Sequence, residues 1–90
     1  MQIRENLSNN LRYYRKKYNL SQEKFAEAIG TSLSHLNKME QGKVDVKLST
    51  ITKYADRLNQ YDKTLNIKDD DLVTYYKDRK TNFVRIDEKK

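Results

Sequence analysis

Side chains able to do covalent or metal chemistry are few in this chain. There is no cysteine, and His35 is the single histidine. That removes disulfides, thiolate nucleophiles and thiolate metal sites, and it leaves acid–base work with one group near neutral pH. Asp69-Asp70-Asp71 is the densest carboxylate run. It lacks the spaced oxygens and loop glycine of a calcium site, and three acids in a row suit the positive start of a helix instead. An enzyme, a metal centre and a cofactor are not expected. What remains is hydrogen-bonding and ionic chemistry, concentrated from Ser21 to just past Gly42. Gln22, Ser32, His35, Lys43 and Lys47 are of types that hold phosphate oxygens, as are backbone amides at helix starts. Ser34, Asn37 and Lys38 are of types that meet base edges, Lys facing guanine acceptors and Asn pairing with adenine.

Charge favours the same partner. Nineteen Lys and Arg against thirteen Asp and Glu give a formal net charge of +6. Residues 1–60 hold 11 basic and 6 acidic side chains, a net +5, while residues 61–90 hold 8 and 7, a net +1. A basic domain attracts polyanions, and nucleic acid is the usual one, although many small proteins are basic without binding DNA. No run approaches the roughly 18 apolar residues of a membrane span, and Met1 to Asn6 has no apolar signal core. Neither export nor membrane insertion is expected, and the expected compartment is the cytoplasm. Seven tyrosines would suit stacking on single-stranded bases, yet Tyr14, Tyr18 and Tyr54 fall at core spacing and the rest form no platform.

The elements that must position these groups are helical. Glycine occurs twice and proline not at all, in a 90-residue chain rich in Leu, Lys, Glu and Gln, a composition that favours helix. Leu7, Leu11, Tyr14 and Tyr18 line one helical face; Phe25, Ala26 and Ile29 line a second; Leu36 and Met39 mark a third; Leu48, Ile51, Ala55 and Leu58 mark a fourth. Ser21 can cap the second helix and Thr31 or Ser32 the third. Gly30 permits a backbone reversal after the second, and Gly42 follows the third. Two short helices joined at one glycine make a helix-turn-helix, whose second helix enters the DNA major groove. Ala26 is small because the helices cross there. Beyond Leu58, residues 59–68 read as a connector. Acids at 69–71, the stripe Leu72, Val73 and Tyr76, and bases at 77–80 predict a fifth helix over 69–80. Phe83 to Ile86 alternates loosely, as a short strand or a pairing arm, and 87–90 should fray. The expected architecture is all-α. It has a four- to five-helix DNA-binding domain over 1–60, with the motif at 21–42, and a charged extension over 61–90.

The motif stretch resembles the lambda-repressor-like helix-turn-helix family, the Xre/Cro type. The matching residues are Leu20-Ser21-Gln22-Glu23, Ala26 to Gly30, Ser32, Leu36 with Met39, and Glu40-Gln41-Gly42, and the resemblance covers about residues 6–59. It implies double-stranded DNA as partner and transcriptional regulation as function. It also implies a structural pair of Arg15 with Glu40, with Arg15 still able to present charge to a phosphate. Two departures stand out. Val46 and Lys47 replace the usual Pro and Ser or Thr cap before the fourth helix. Leu33 stands where relatives present Arg or Gln to a base, and either packs on a thymine methyl or shields the core. The resemblance further implies binding as a homodimer on a palindrome. Leu72, Val73 and Tyr76, with Phe83, Val84 and Ile86, are the candidate dimer surface unless they fold back onto the core. The alternative function is an antitoxin or other protein-interaction module whose extension binds a partner.

Overall fold

Four α-helices form where the apolar spacing places them, in a computed structural model that describes residues 3–79: α1 (Ile3–Lys17), α2 (Gln22–Ile29), α3 (Leu33–Glu40) and α4 (Leu48–Tyr61). Leu7, Leu11 and Tyr14 of α1, Phe25, Ala26 and Ile29 of α2, Leu36 and Met39 of α3, and Ile51, Tyr54, Ala55 and Leu58 of α4 form one buried cluster. Burial of these apolar side chains is the main force holding the helices together. Leu48 departs from the expected stripe: it opens α4 and stays 65% exposed.

α1, α2 and α3 end alike. Asn19, Gly30 and Gly42 each take a positive φ, at 56°, 80° and 69°. The next amide reaches back five residues to a helical carbonyl in each case: Leu20 to Arg15, Thr31 to Ala26 and Lys43 to Lys38. This is the left-handed termination that satisfies otherwise orphaned carbonyls. The start of α4 is the weakly specified end, because Lys47 sits at its N-cap with no side-chain cap bond.

Of the fifth α-helix expected over 69–80, the described residues 69–79 form two 3-10 turns instead, Asp69–Leu72 and Lys77–Arg79. The cause is tertiary. Leu72 is fully buried in the core cluster, and the Asn10 Nδ2 amide donates to the carbonyls of Asp71, Leu72 and Thr74 at 3.3, 2.9 and 2.9 Å. Asn6 Nδ2 donates to the Val73 carbonyl at 3.0 Å. Carbonyls taken by α1 side chains do not build an i to i+4 ladder. Of the candidate dimer stripe, Leu72 is therefore core, while Val73 packs against the core and Tyr76 is half-buried; Phe83, Val84 and Ile86 lie outside the described residues. The connector is pinned by Asn59, whose side chain exchanges two hydrogen bonds with the backbone of Ile67, at 2.9 and 3.0 Å.

Asp62 closes α4 onto α1. Its carboxylate accepts from Thr64 Oγ1 at 2.7 Å, from Tyr18 Oη at 2.8 Å and from the Thr64 amide at 3.0 Å. The Thr64 hydroxyl first, then the Tyr18 hydroxyl, hold the Asp62 carboxyl below its ordinary value of 3.8. Burial and the same Tyr18–Asp62 bond push the Tyr18 phenol up. A depressed carboxylate adds stability above its ordinary value, and that contribution is lost as pH falls through the lower folded value. Asp45, depressed by its bonds from Arg4, behaves the same way. Urea midpoints measured between about pH 5 and pH 2 should fall less steeply in Asp62→Asn than in the parent chain. Equal slopes would mean that Asp62 plays no part in the acid response.

Candidate nucleic-acid interface

The turn that aims α3 is fixed from both sides. The Ser21 hydroxyl accepts from the Lys24 amide at 3.1 Å to cap α2, and the Ser32 hydroxyl accepts from the His35 amide at 3.0 Å to cap α3. Between them Gly30 reverses the chain, and α4 clamps the reversal: Lys53 Nζ donates to the Gly30 carbonyl at 2.9 Å. A Cβ at Gly30 would lie 3.2 Å from the Arg57 guanidinium, so φ and neighbours alike favour glycine.

α3 presents one face outward. Leu33, Ser34 and Lys38 are exposed and Asn37 half-buried, while Leu36, Met39 and Glu40 point inward. The outer face, the start of α2 and the loop after α3 frame an open depression of about 740 Å³. It is lined by Gln22, Leu33, Ser34, Asn37, Lys38, Gln41, Lys43 and Val44. Two lysines and no carboxylate line it among the described residues, which suits an anionic ligand. Leu33, Ser34, Asn37 and Lys38 are thus brought together with Gln22 and Lys43. Ser32, His35 and Lys47 lie outside the depression. Ser32 and Lys47 are exposed at the N-caps of α3 and α4, and His35 is half-buried. Gln41, which the sequence marks only as part of the Glu40-Gln41-Gly42 match, and Val44 are not among the expected site residues; for Gln41, the spacing of four from Asn37 is the available signal.

Beneath the face lies a buried ion pair. Arg15 Nε and Nη2 donate to Glu40 Oε2 and Oε1 at 2.7 and 3.0 Å, with the two side chains 1% and 0% exposed. This two-pronged geometry is the strong form of the Arg–carboxylate pair. Such burial corrects one expectation: Arg15 has no exposed charge to offer a phosphate. Gln22 Nε2 donates to the same Glu40 Oε1 at 3.1 Å. Asn37 Nδ2 donates to Gln22 Oε1 at 3.4 Å, and Gln41 Nε2 donates to Asn37 Oδ1. A continuous polar chain therefore runs from Arg15 through Glu40, Gln22 and Asn37 to Gln41. It engages both ends of the Asn37 amide, the group a two-bond contact to adenine would need. Among the described residues, no cluster of histidines and carboxylates is placed to hold a metal ion, and no helix is long and apolar enough to cross a membrane.

Two short capped helices, a glycine reversal and an outward polar face on the second define a helix-turn-helix, and residues 11–65 match the helix-turn-helix family model. The chain belongs to this lambda-repressor-like family of DNA-binding transcription regulators. It is 41% identical over 59 residues to the control protein C.SmaI of Serratia marcescens, across 66% of this chain and 70% of that one. It is 33% identical over 72 residues to the uncharacterized HTH-type transcriptional regulator MJ0272 of Methanocaldococcus jannaschii, across 80% of this chain and 98% of that one. No solved structure matches it significantly.

Proposed function

We propose that this chain is a cytoplasmic transcription regulator that lays α3 in the major groove of a palindromic operator and binds there as two copies. The supporting observation is the outer face of α3, where exposed Leu33, Ser34 and Lys38 share a depression with Lys43 and with no carboxylate among the described residues. Lys38 reads guanine acceptors and Ser34 a neighbouring base edge. Leu33 is 47% exposed, which favours packing on a thymine methyl over shielding the core. Asn37, engaged at both amide ends, sets the positions of Gln22 and Gln41 rather than clamping adenine. Gln22, Ser32, His35, Lys43 and Lys47 take phosphates, together with the amides that open α2 and α3.

One recognition helix reads only a few base pairs, too few to single out a site in a genome. Two copies on half-sites about one helical turn apart, roughly 34 Å, supply the rest. Leu72 is spent on the chain's own core, so the pairing surface lies elsewhere. The protein-interaction reading draws no support from residues 61–79, where Leu65, Ile67 and Val73 also pack against that core.

Binding-site selection followed by polarisation titration tests the proposal. Lys38→Ala should relax preference at one base pair at a cost of about 1–3 kcal/mol. Lys43→Ala should weaken every duplex about equally and reduce the salt slope by about 1. If the two variants behave alike on all duplexes, the division into base and phosphate contacts is wrong.

A further inference from the structure

A second group of cations lines a cavity away from the recognition face. Asn9, Arg12, Tyr13, Lys16 and Lys17 of α1, with Asp78 and Arg79 of the second 3-10 turn, enclose about 310 Å³. That is the lower end of the roughly 300–1,000 Å³ typical of small-ligand sites. The cavity shares no lining residue with the depression over α3, and its four cations face one carboxylate, Asp78.

The two arginines are held rather than left to solvent. The Arg79 guanidinium lies 4.0 Å from the Tyr13 ring centre, 4.2 Å from that of Tyr76 and 5.1 Å from that of Tyr14. Its Nη1 donates to Asn10 Oδ1 at 3.0 Å, while its Nε is buried with no hydrogen-bond partner among the described residues. Arg12 is buried, with Nη2 donating to Asn9 Oδ1 at 2.7 Å. Burial lowers the pKa of Arg12, with Glu40 opposing and Arg15 adding to the effect. Gathering like charges at a partly desolvated wall costs free energy that an anion would offset. Lys16 and Lys17 are exposed, and they add two ammonium groups to the lining.

We propose that this cleft between α1 and the second 3-10 turn is a phosphate-binding site, separate from the recognition face. The held guanidiniums of Arg12 and Arg79 supply fixed positive charge in the cleft wall and Lys16 and Lys17 supply point charges, a concentration of cations that suits a phosphoryl group. Its phosphate comes either from a free phosphorylated small molecule or from duplex DNA flanking the operator.

The test uses the full chain and the double variant Lys16→Gln/Lys17→Gln, with thermal denaturation confirming that the variant folds. Inorganic pyrophosphate, titrated calorimetrically without DNA, should bind the parent saturably and the double variant about tenfold more weakly, a factor that corresponds to about 1.4 kcal/mol. Lys43→Ala should bind pyrophosphate like the parent. Alternatively, if the phosphate is DNA's, the parent should gain affinity when the operator duplex is lengthened on both sides. The double variant should lose that gain and show a smaller salt slope. Either result supports the site and identifies the source. Pyrophosphate binding weakened as much by Lys43→Ala as by the double variant overturns the proposal. So does an unchanged double variant in both titrations. The calorimetric titration needs no operator, so it stands apart from any failure of the proposed DNA reading.

Discussion

Glu40→Ala should cost about 3–5 kcal/mol of folding stability, because it strands a buried guanidinium. Glu40 is fully buried; its carboxylate accepts from Arg15 at both oxygens and from Gln22 again at Oε1. Among the described residues, removing it leaves Arg15 with one acceptor, the Leu20 carbonyl at a long 3.4 Å. An unpaired charge at 1% exposure cannot be rescued by solvent without opening the packing of α1 on α3. Urea denaturation reads the loss as a lower midpoint with the slope preserved. The double variant Arg15→Met/Glu40→Leu is the informative partner, since apolar replacement of a buried pair is often neutral or stabilising. Stability should return in it, while operator affinity should not, because Gln22 and, through it, Asn37 and Gln41 lose their anchor. A Glu40→Ala cost below about 1 kcal/mol would put the pair in the class of solvent-screened bridges and remove this account of how the recognition face is held.

The depth of that pair bears on what could be read beforehand. Spacing of apolar residues marked all four α-helices, Ser21 and Gly30 marked the ends of α2, and Thr31 or Ser32 with Gly42 marked those of α3, because these signals act within a turn or two of chain. Asn19 ends α1 in the same left-handed way as the glycines, but asparagine serves in many contexts and announces none. Ser8, Asn9, Asn10 and Arg12 read as the polar side of an amphipathic helix, yet all four are buried. Their partners are far along the chain or set by the fold: Ser8 Oγ donates to the Glu40 carbonyl at 2.5 Å, and Asn10 holds carbonyls beyond residue 70. No local period encodes such contacts. The same gap explains the extension, where the charge pattern suited a helix but long-range anchoring of Leu72 and its neighbouring carbonyls produced turns. In the interface, exposed groups on α3 were legible from helix geometry. The engagement of Asn37 by Gln22 and Gln41 was not, since it depends on how α2 sits against α3.

Leu72→Ala carries the second large effect and tests whether the extension belongs to the core. Leu72 is 0% exposed and packs in the same cluster as Leu11, Leu36 and Leu58, though the sequence separates it from every other member. Truncating a buried leucine costs about 2–5 kcal/mol, more where the surroundings cannot collapse into the cavity. Here collapse is resisted, because the chain on both sides of Leu72 is tied to α1 by Asn6 and Asn10. Tyr75→Ala is the control. That side chain is 54% exposed, and its loss should stay within about 0.5 kcal/mol. A Leu72→Ala cost as small as that of Tyr75→Ala would mean the extension is an appendage. The expected result has a consequence for any shortened chain. Ending it near Leu65 would remove the core plug and leave the buried Asn10 amide without the carbonyls it serves, a further cost of about 1–3 kcal/mol. Loss of DNA binding in such a chain would report a weakened fold, so the pairing surface is better sought with single exposed substitutions such as Tyr75→Ala, followed by sedimentation on and off operator DNA.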